Sequence, residues 1–346
     1  MRALTFQGKE KISYETIPDP RILSDSDVII KVNCCSICGS DLHVYHGRER
    51  GLDHGTAMGH EFVGMIEEVG KSVKNFRRGD FVMSPFSTSC GECFYCLQGL
   101  TSRCLHSQLY GWVENGLGLQ GGQAEWVRTP LADSTLMKIP EGLSAEKGLL
   151  LGDVMSTGFF CARQAEVRGR TCVVLGCGPV GLMAVAAAVE YGASKVFAVD
   201  AVAARLELAR HLGAEPLRLG HDDVIERIRD GSEGRGADAV LEAVGASDAG
   251  RLAYDVLRPG GVISSVGVCT DEKMSFSPTE AYNKNITFKT GRCPARSLMP
   301  GLIEIIRSNH ALSSILTHRM PLKRGSEGYK IFDRKEDNCL KVLLTC

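Results

Sequence analysis

The 346-residue sequence contains no run of 18 or more apolar residues, so it offers no membrane-spanning helix. Its longest near-apolar stretch, Gly178–Val189, has the length of a core helix. A surplus of charge is also missing. Lys and Arg number 40 against 41 Asp and Glu, which leaves a net charge of −1. Nucleic acid and anionic membranes both reward an excess of basic residues, so neither is an expected partner. The opening residues MRALTFQGKEKISYE lack the apolar segment and small-residue cleavage site of a secretory signal. Their acidic and Gly content also disfavours a transit peptide. No internal repeat and no low-complexity linker occurs. Cysteine, by contrast, is plentiful at 14 residues, yet too sparse for a small disulfide scaffold. In a reducing compartment those residues serve as thiols or metal ligands, and the cytoplasm is the expected location.

The length suits two domains, each with a sizeable core. Up to about residue 150 the chain is rich in short β-type runs, among them Asp27–Val32, Phe62–Val69 and Asp80–Val82. From about 155 the texture changes. Thr171–Leu175 reads as a buried parallel strand, followed by a Gly turn and the Ala-rich helical run Leu182–Tyr191. Lys195–Asp200 is a second strand, Ala203–Leu212 has helical spacing, and Ala237–Glu242 and Gly261–Gly267 read as later strands. Such alternation predicts βαβ units and a parallel sheet. Beyond about 291 the mixed texture returns, ending in the apolar strand Leu340–Leu344. The expected architecture is a nucleotide-type α/β domain inserted into a β-rich domain.

Gly176-Cys177-Gly178-Pro179-Val180-Gly181 fits G-x-G-x-x-G, placed after a strand and at the start of a helix. Gly176 permits the tight turn, Gly178 lets backbone approach a pyrophosphate, and Gly181 allows close helix–strand packing. The helix N-terminus favours the phosphate charge. Asp200, ending the second strand, stands where an acid accepts from the adenosine ribose hydroxyls and repels a 2′-phosphate, which predicts NAD over NADP. Cys90, Cys93, Cys96 and Cys104 form C-x2-C-x2-C-x7-C. Four thiolates close a tetrahedral structural zinc shell, although an iron–sulfur cluster uses the same set. Cys38-Gly39-Ser40-Asp41-Leu42-His43 and Gly59-His60-Glu61 are rich in ligand-type residues. A catalytic zinc takes three protein ligands and one exchangeable position. Spacing alone does not show which groups converge.

Taken together, in this order and at these separations, the motifs resemble the zinc-dependent medium-chain alcohol dehydrogenase family over essentially the whole chain. The resemblance implies a GroES-like β-rich catalytic domain (1–154 and 292–346, with a structural zinc lobe at about 90–104). A doubly wound Rossmann domain (155–291) is inserted in it, and the active site lies in the cleft between them. Cys38 and His60 match the first two catalytic zinc ligands, and Asp153 matches the third. Asp153 stands in a D-x-x-x-T-G pattern similar to the secondary-alcohol and glutathione-independent formaldehyde dehydrogenase branch. Glu61 matches a carboxylate able to approach zinc, and Asp41 the acid that orients a ligating His. Ser40 and His43 match the ends of a proton relay. Thr157 and Val180 match nicotinamide contacts, Arg205 a ribose contact, Lys341 a pyrophosphate contact, and Phe86 a wall of the substrate pocket. His46, His54 and His106 match no role, and Arg292 and Cys293 fall where the chain is expected to return to the catalytic domain, near the nicotinamide.

The implied activity is reversible NAD-linked oxidation of a primary or secondary alcohol, with two zinc ions per subunit and a homotetramer favoured over a dimer. Polyol dehydrogenases of the family tend to carry Glu-Pro where this chain has Asp153-Val154, and threonine dehydrogenases differ there too, which disfavours both. Zinc-free quinone or enoyl reductases lack the ligands and the cysteine lobe. A non-enzymatic nucleotide-binding protein is opposed by the intact ligand set. Replacing Asp200 with Gly is expected to weaken the preference for NAD. Measured NAD/NADP selectivity that stays unchanged refutes the role given to Asp200.

Overall fold

A computed structural model describes residues 1–346. The chain divides into two units, Met1–Ser156 with Pro294–Cys346, and Thr157–Cys293. Strand Val28–Ile37 organises the first unit. Lys31 and Asn33 point to solvent while their neighbours are buried, the alternation expected of a strand with one wet face. One edge pairs antiparallel with Phe62–Val69. The other edge is shared: Trp126–Thr129 pairs with Val28–Lys31, and Val342–Thr345 pairs with Cys34–Ile37. These strands belong to a seven-stranded sheet. Leu4, Ile30, Ile37, Phe62, Tyr110 and Tyr329 fill its core, each less than 2% exposed.

Two expectations shift here. The strand read as Asp27–Val32 continues to Ile37, because its second half is paired by a segment from the far end of the chain. The strand read as Leu340–Leu344 begins at Val342. The amides of Leu340 and Lys341 instead donate to the Thr317 hydroxyl, at 2.9 and 3.4 Å.

The second unit is a six-stranded parallel sheet in the order Glu215–Arg218, Lys195–Asp200, Thr171–Leu175, Ala237–Glu242, Leu257–Ser265, Thr287–Thr290. Strand order reverses between Thr171–Leu175 and Ala237–Glu242, the switch point where ligands bind in doubly wound sheets. Cys172–Leu175 is buried throughout, as befits a strand covered on both faces. The strand expected at Gly261–Gly267 starts earlier, at Leu257, because a register shift between Ala237 and Ala239 lets Leu257 pair with Ala237. Helix Pro179–Glu190 opens on Pro179, whose missing N–H is not needed in the first turn. No helix is long and apolar enough to cross a membrane.

The Gly turn depends on closeness. Gly176 has φ +83°, a conformation that disfavours side chains. A Cβ on Gly181 would lie 1.7 Å from the Gly176 carbonyl oxygen, whereas one on Gly178 meets no atom within 4 Å. Gly181→Ala is therefore expected to cost about 1–3 kcal/mol through overpacking. Gly178→Ala should keep the parental denaturation midpoint. Equal midpoints for the two variants in urea unfolding refute this packing argument.

Candidate functional site

Cys38 follows the long strand and caps helix Gly39–Tyr45, whose third residue, Asp41, accepts the Cys38 backbone N–H at 3.0 Å. His60 follows Gly59, held at φ +88°, and precedes strand Phe62–Val69. Asp153 sits between helices Ala145–Leu151 and Val154–Ala165. These elements bring three buried side chains together, their ligand atoms all within 4.8 Å of one another. Cys38 Sγ is 3.2 Å and His60 Nε2 is 3.3 Å from Asp153 Oδ2. On its other side His60 Nδ1 lies 3.3 Å from Asp41 Oδ1.

The electrostatics describe a site short of positive charge. Burial opposes charging His60, but Asp41 and Asp153 push its pKa well above the ordinary value. Burial likewise opposes ionising Asp153, yet His60, Lys341 and the Cys38 thiol hold it down to about 2. The Cys38 thiol is pushed up by burial, then by Asp153 and Glu61. Protons thus stand on the imidazole and the thiol, where a divalent cation would displace them. One S, one N and one O donor suit zinc, and three protein ligands leave a fourth position for exchange.

Glu61 and Lys341 form a buried pair, Nζ to Oε2 2.6 Å, with both side chains no more than 1% exposed. Lys341 also donates to the Ile37 carbonyl at 3.3 Å, and Glu61 Oε2 accepts from the Ser36 hydroxyl. Glu61 Oε1 is buried with no partner. Lys341 was expected at a pyrophosphate. In the structure its ammonium pairs with Glu61, a carboxylate too deep to go without a counter-charge. Ser40 Oγ lies 3.2 Å from His60 Nε2. His43 is half-buried, its Nδ1 has no partner, and burial lowers its pKa. Phe86 is buried and meets the His60 ring edge-on, centroids 6.5 Å apart.

Cys90, Cys93, Cys96 and Cys104 converge separately, their sulfurs within 4.8 Å of one another. Cys90 and Cys96 Sγ are 4.0 Å apart, far beyond a disulfide bond. Backbone N–H groups of Cys93 and His106 donate to Cys90 and Cys104 Sγ, both at 3.3 Å, arranging the sulfurs as anionic ligands require. Four thiol donors fit a closed zinc shell. Of the remaining nine cysteines, only Cys269 and Cys346 are exposed.

In the second unit, Asp200 Oδ2 accepts from the Cys177 amide at 2.7 Å and Oδ1 from the Val202 amide at 2.8 Å. Arg205 Nη1 stands 3.8 Å from Asp200 Oδ2. The open space over Gly178, at the N-cap of helix Pro179–Glu190, is the cradle a pyrophosphate needs. Val180 is half-buried and Thr157 is buried.

Gln123 and Tyr329, which stand behind Asp41, belong to no sequence motif. Their partners are 82 and 206 residues away in the chain, so no local pattern could have revealed them. Among the unassigned residues, His46 pairs with Asp333 at 2.7 Å and His54 packs on Phe6. Cys293 is buried and Arg292 exposed.

A doubly wound dinucleotide-type unit, a three-donor metal centre and a four-cysteine lobe define a zinc-binding dehydrogenase. Residues 24–141 match the alcohol dehydrogenase GroES-like domain and residues 179–308 the zinc-binding dehydrogenase domain. The chain is 44% identical to zinc-type alcohol dehydrogenase B of Aspergillus flavus, over 99% of this chain and 80% of that protein. It is 35% identical to an uncharacterized zinc-type alcohol dehydrogenase-like protein of Bacillus subtilis, over 99% and 100% of the two chains. It superimposes on alcohol dehydrogenase TADH from Thermus sp. ATN1 with TM-score 0.95 at 37% identity, covering 100% of both. The chain belongs to the zinc-dependent medium-chain alcohol dehydrogenase family, with its GroES-like and Rossmann domains.

Lys341→Met leaves the Glu61 carboxylate buried without its counter-ion and should cost about 3–5 kcal/mol of stability. Denaturant unfolding checks this, and Lys341→Arg should recover part of the loss.

Proposed function

We propose that this protein catalyses the reversible, NAD-linked oxidation of a primary or secondary alcohol to an aldehyde or ketone. The observation that carries this reading is the convergence of Cys38, His60 and Asp153, three buried donors of mixed chemistry with no fourth protein ligand among them. A closed site such as the four-cysteine lobe offers no place for a substrate; a three-ligand site does. Zinc held by Cys38, His60 and Asp153 supplies Lewis acidity, which eases removal of a hydroxyl proton near neutral pH. NAD, held at the glycine turn, supplies the hydride acceptor.

The chain's own residues do the rest. Asp41 accepts the Nδ1–H of His60 and thereby turns Nε2 toward the centre. Ser40 Oγ, beside that nitrogen, accepts the hydroxyl proton as it gives up its own toward His43, so it relays the proton and gains no net charge. His43, kept below its ordinary pKa by burial, is neutral at pH 7 and has an unpartnered ring nitrogen with which to pass the proton outward. Phe86 walls the site beside His60 and excludes water. Asp200 favours NAD by repelling a 2′-phosphate, while Arg205, Thr157 and Val180 hold the remainder of the cofactor.

Metal analysis is expected to find two zinc ions per subunit. Cys38→Ala should lose one of them and all turnover in an assay of NADH formation across primary, secondary, aromatic and polyol alcohols. It should still bind NADH. Full activity in Cys38→Ala sinks the assignment, and so does a wild-type protein carrying metal at the four cysteines alone.

A further inference from the structure

Behind the metal centre lies a continuous buried hydrogen-bond chain. Tyr329 O–H donates to Gln123 Oε1 at 2.8 Å. Gln123 Nε2 donates to Asp41 Oδ2 and to the Ser36 carbonyl, both at 3.1 Å. Asp41 then holds His60 through Oδ1 and the Cys38 backbone N–H through Oδ2. Gln123 and Tyr329 are both 0% exposed.

The chain admits one orientation. The Ser36 carbonyl and the Asp41 carboxylate only accept, so the Gln123 amide nitrogen must face both. Its oxygen then faces Tyr329, whose hydroxyl must donate. Every hydrogen on that nitrogen is used, and rotating the amide would break all three bonds. The backbone is shaped to admit Gln123. A Cβ on Gly59, the residue before His60, would lie 2.3 Å from Gln123 Cγ.

We propose that Gln123 and Tyr329 are positioning residues for the catalytic metal. Through one carboxylate they fix the His60 ring and the Cys38 backbone together, and so tie two ligands to the C-terminal helix Gly325–Arg334 that carries Tyr329. This rests on Cys38, His60 and Asp153 being the ligands, as proposed above. Neither residue touches substrate or metal. Their effect is to keep Asp41 from swinging, which would release the ring orientation that a ligating His needs.

The test uses the whole protein loaded with Co2+, whose absorption distinguishes a one-thiolate site from a four-thiolate site. Gln123→Ala should weaken metal retention at the Cys38 site about 10–100-fold against a competing chelator, the range for loss of an outer-shell partner. The four-cysteine site should be unchanged. Tyr329→Phe, which removes only the hydroxyl, should weaken retention in the same direction by less. The double variant should be no worse than Gln123→Ala, because the two act in series. Unchanged retention in a folded Gln123→Ala or Tyr329→Phe protein overturns the proposal, as does equal weakening at both sites or additive losses in the double variant. A wild-type protein that binds Co2+ only at the four cysteines overturns the ligand assignment itself, and the proposal with it.

Discussion

Charge balance in a buried space is the constraint on which the first unit depends. Asp41, Glu61 and Asp153 are all less than 9% exposed, and Cys38 joins them. Only His60 and Lys341 oppose them from within the protein. Carboxylates at such depth are tolerated when paired and hydrogen-bonded, and they are costly otherwise. Much of the surrounding construction answers that demand. The capping position of Asp41, the Ser36 hydroxyl on Glu61 and the Gln123 amide on Asp41 each place a donor on a carboxylate oxygen. The one oxygen of Glu61 left without a donor faces the same interior. A divalent cation held by Cys38, His60 and Asp153, as proposed above, would complete this balance.

The two candidate metal centres differ in how they are assembled. The four cysteines lie within 15 residues, and amides of the same loop donate to their sulfurs. Such a site was legible from spacing alone. The other centre collects Cys38, His60 and Asp153 from one strand end, one loop and one interhelical turn, and spacing could not join them. Resemblance supplied Asp153. Nothing in the sequence supplied Gln123 or Tyr329, because a buried polar chain is defined by partners and those partners are remote.

The dinucleotide unit is more legible in the sequence, since its signals are local. Thr171–Leu175, Lys195–Asp200 and Ala237–Glu242 have the expected bounds. The Gly turn and Asp200 fall within 25 residues of one another, and the acid reaches back to the turn's own amide. Glu242 repeats the device on the other side of Thr171–Leu175, with no local motif to mark it. Its carboxylate accepts the amides of Val244 and Gly245 at 2.6 and 2.7 Å, and the Ser265 hydroxyl at 2.7 Å. The two strands that flank Thr171–Leu175 therefore both end in acids that hold loop amides. Asp200 could be found because a fingerprint surrounds it, whereas Glu242 has only its geometry.

The pair formed by Glu61 and Lys341 also bears on how the molecule comes into being. The two residues are 280 positions apart, so the ribosome makes the acid long before its counter-ion. Until strand Val342–Thr345 pairs with Cys34–Ile37, Glu61 has no counter-ion from Lys341, and burial then favours its protonated form. The sheet of the first unit and its buried ion pair can therefore be completed only after the whole second unit has been synthesised.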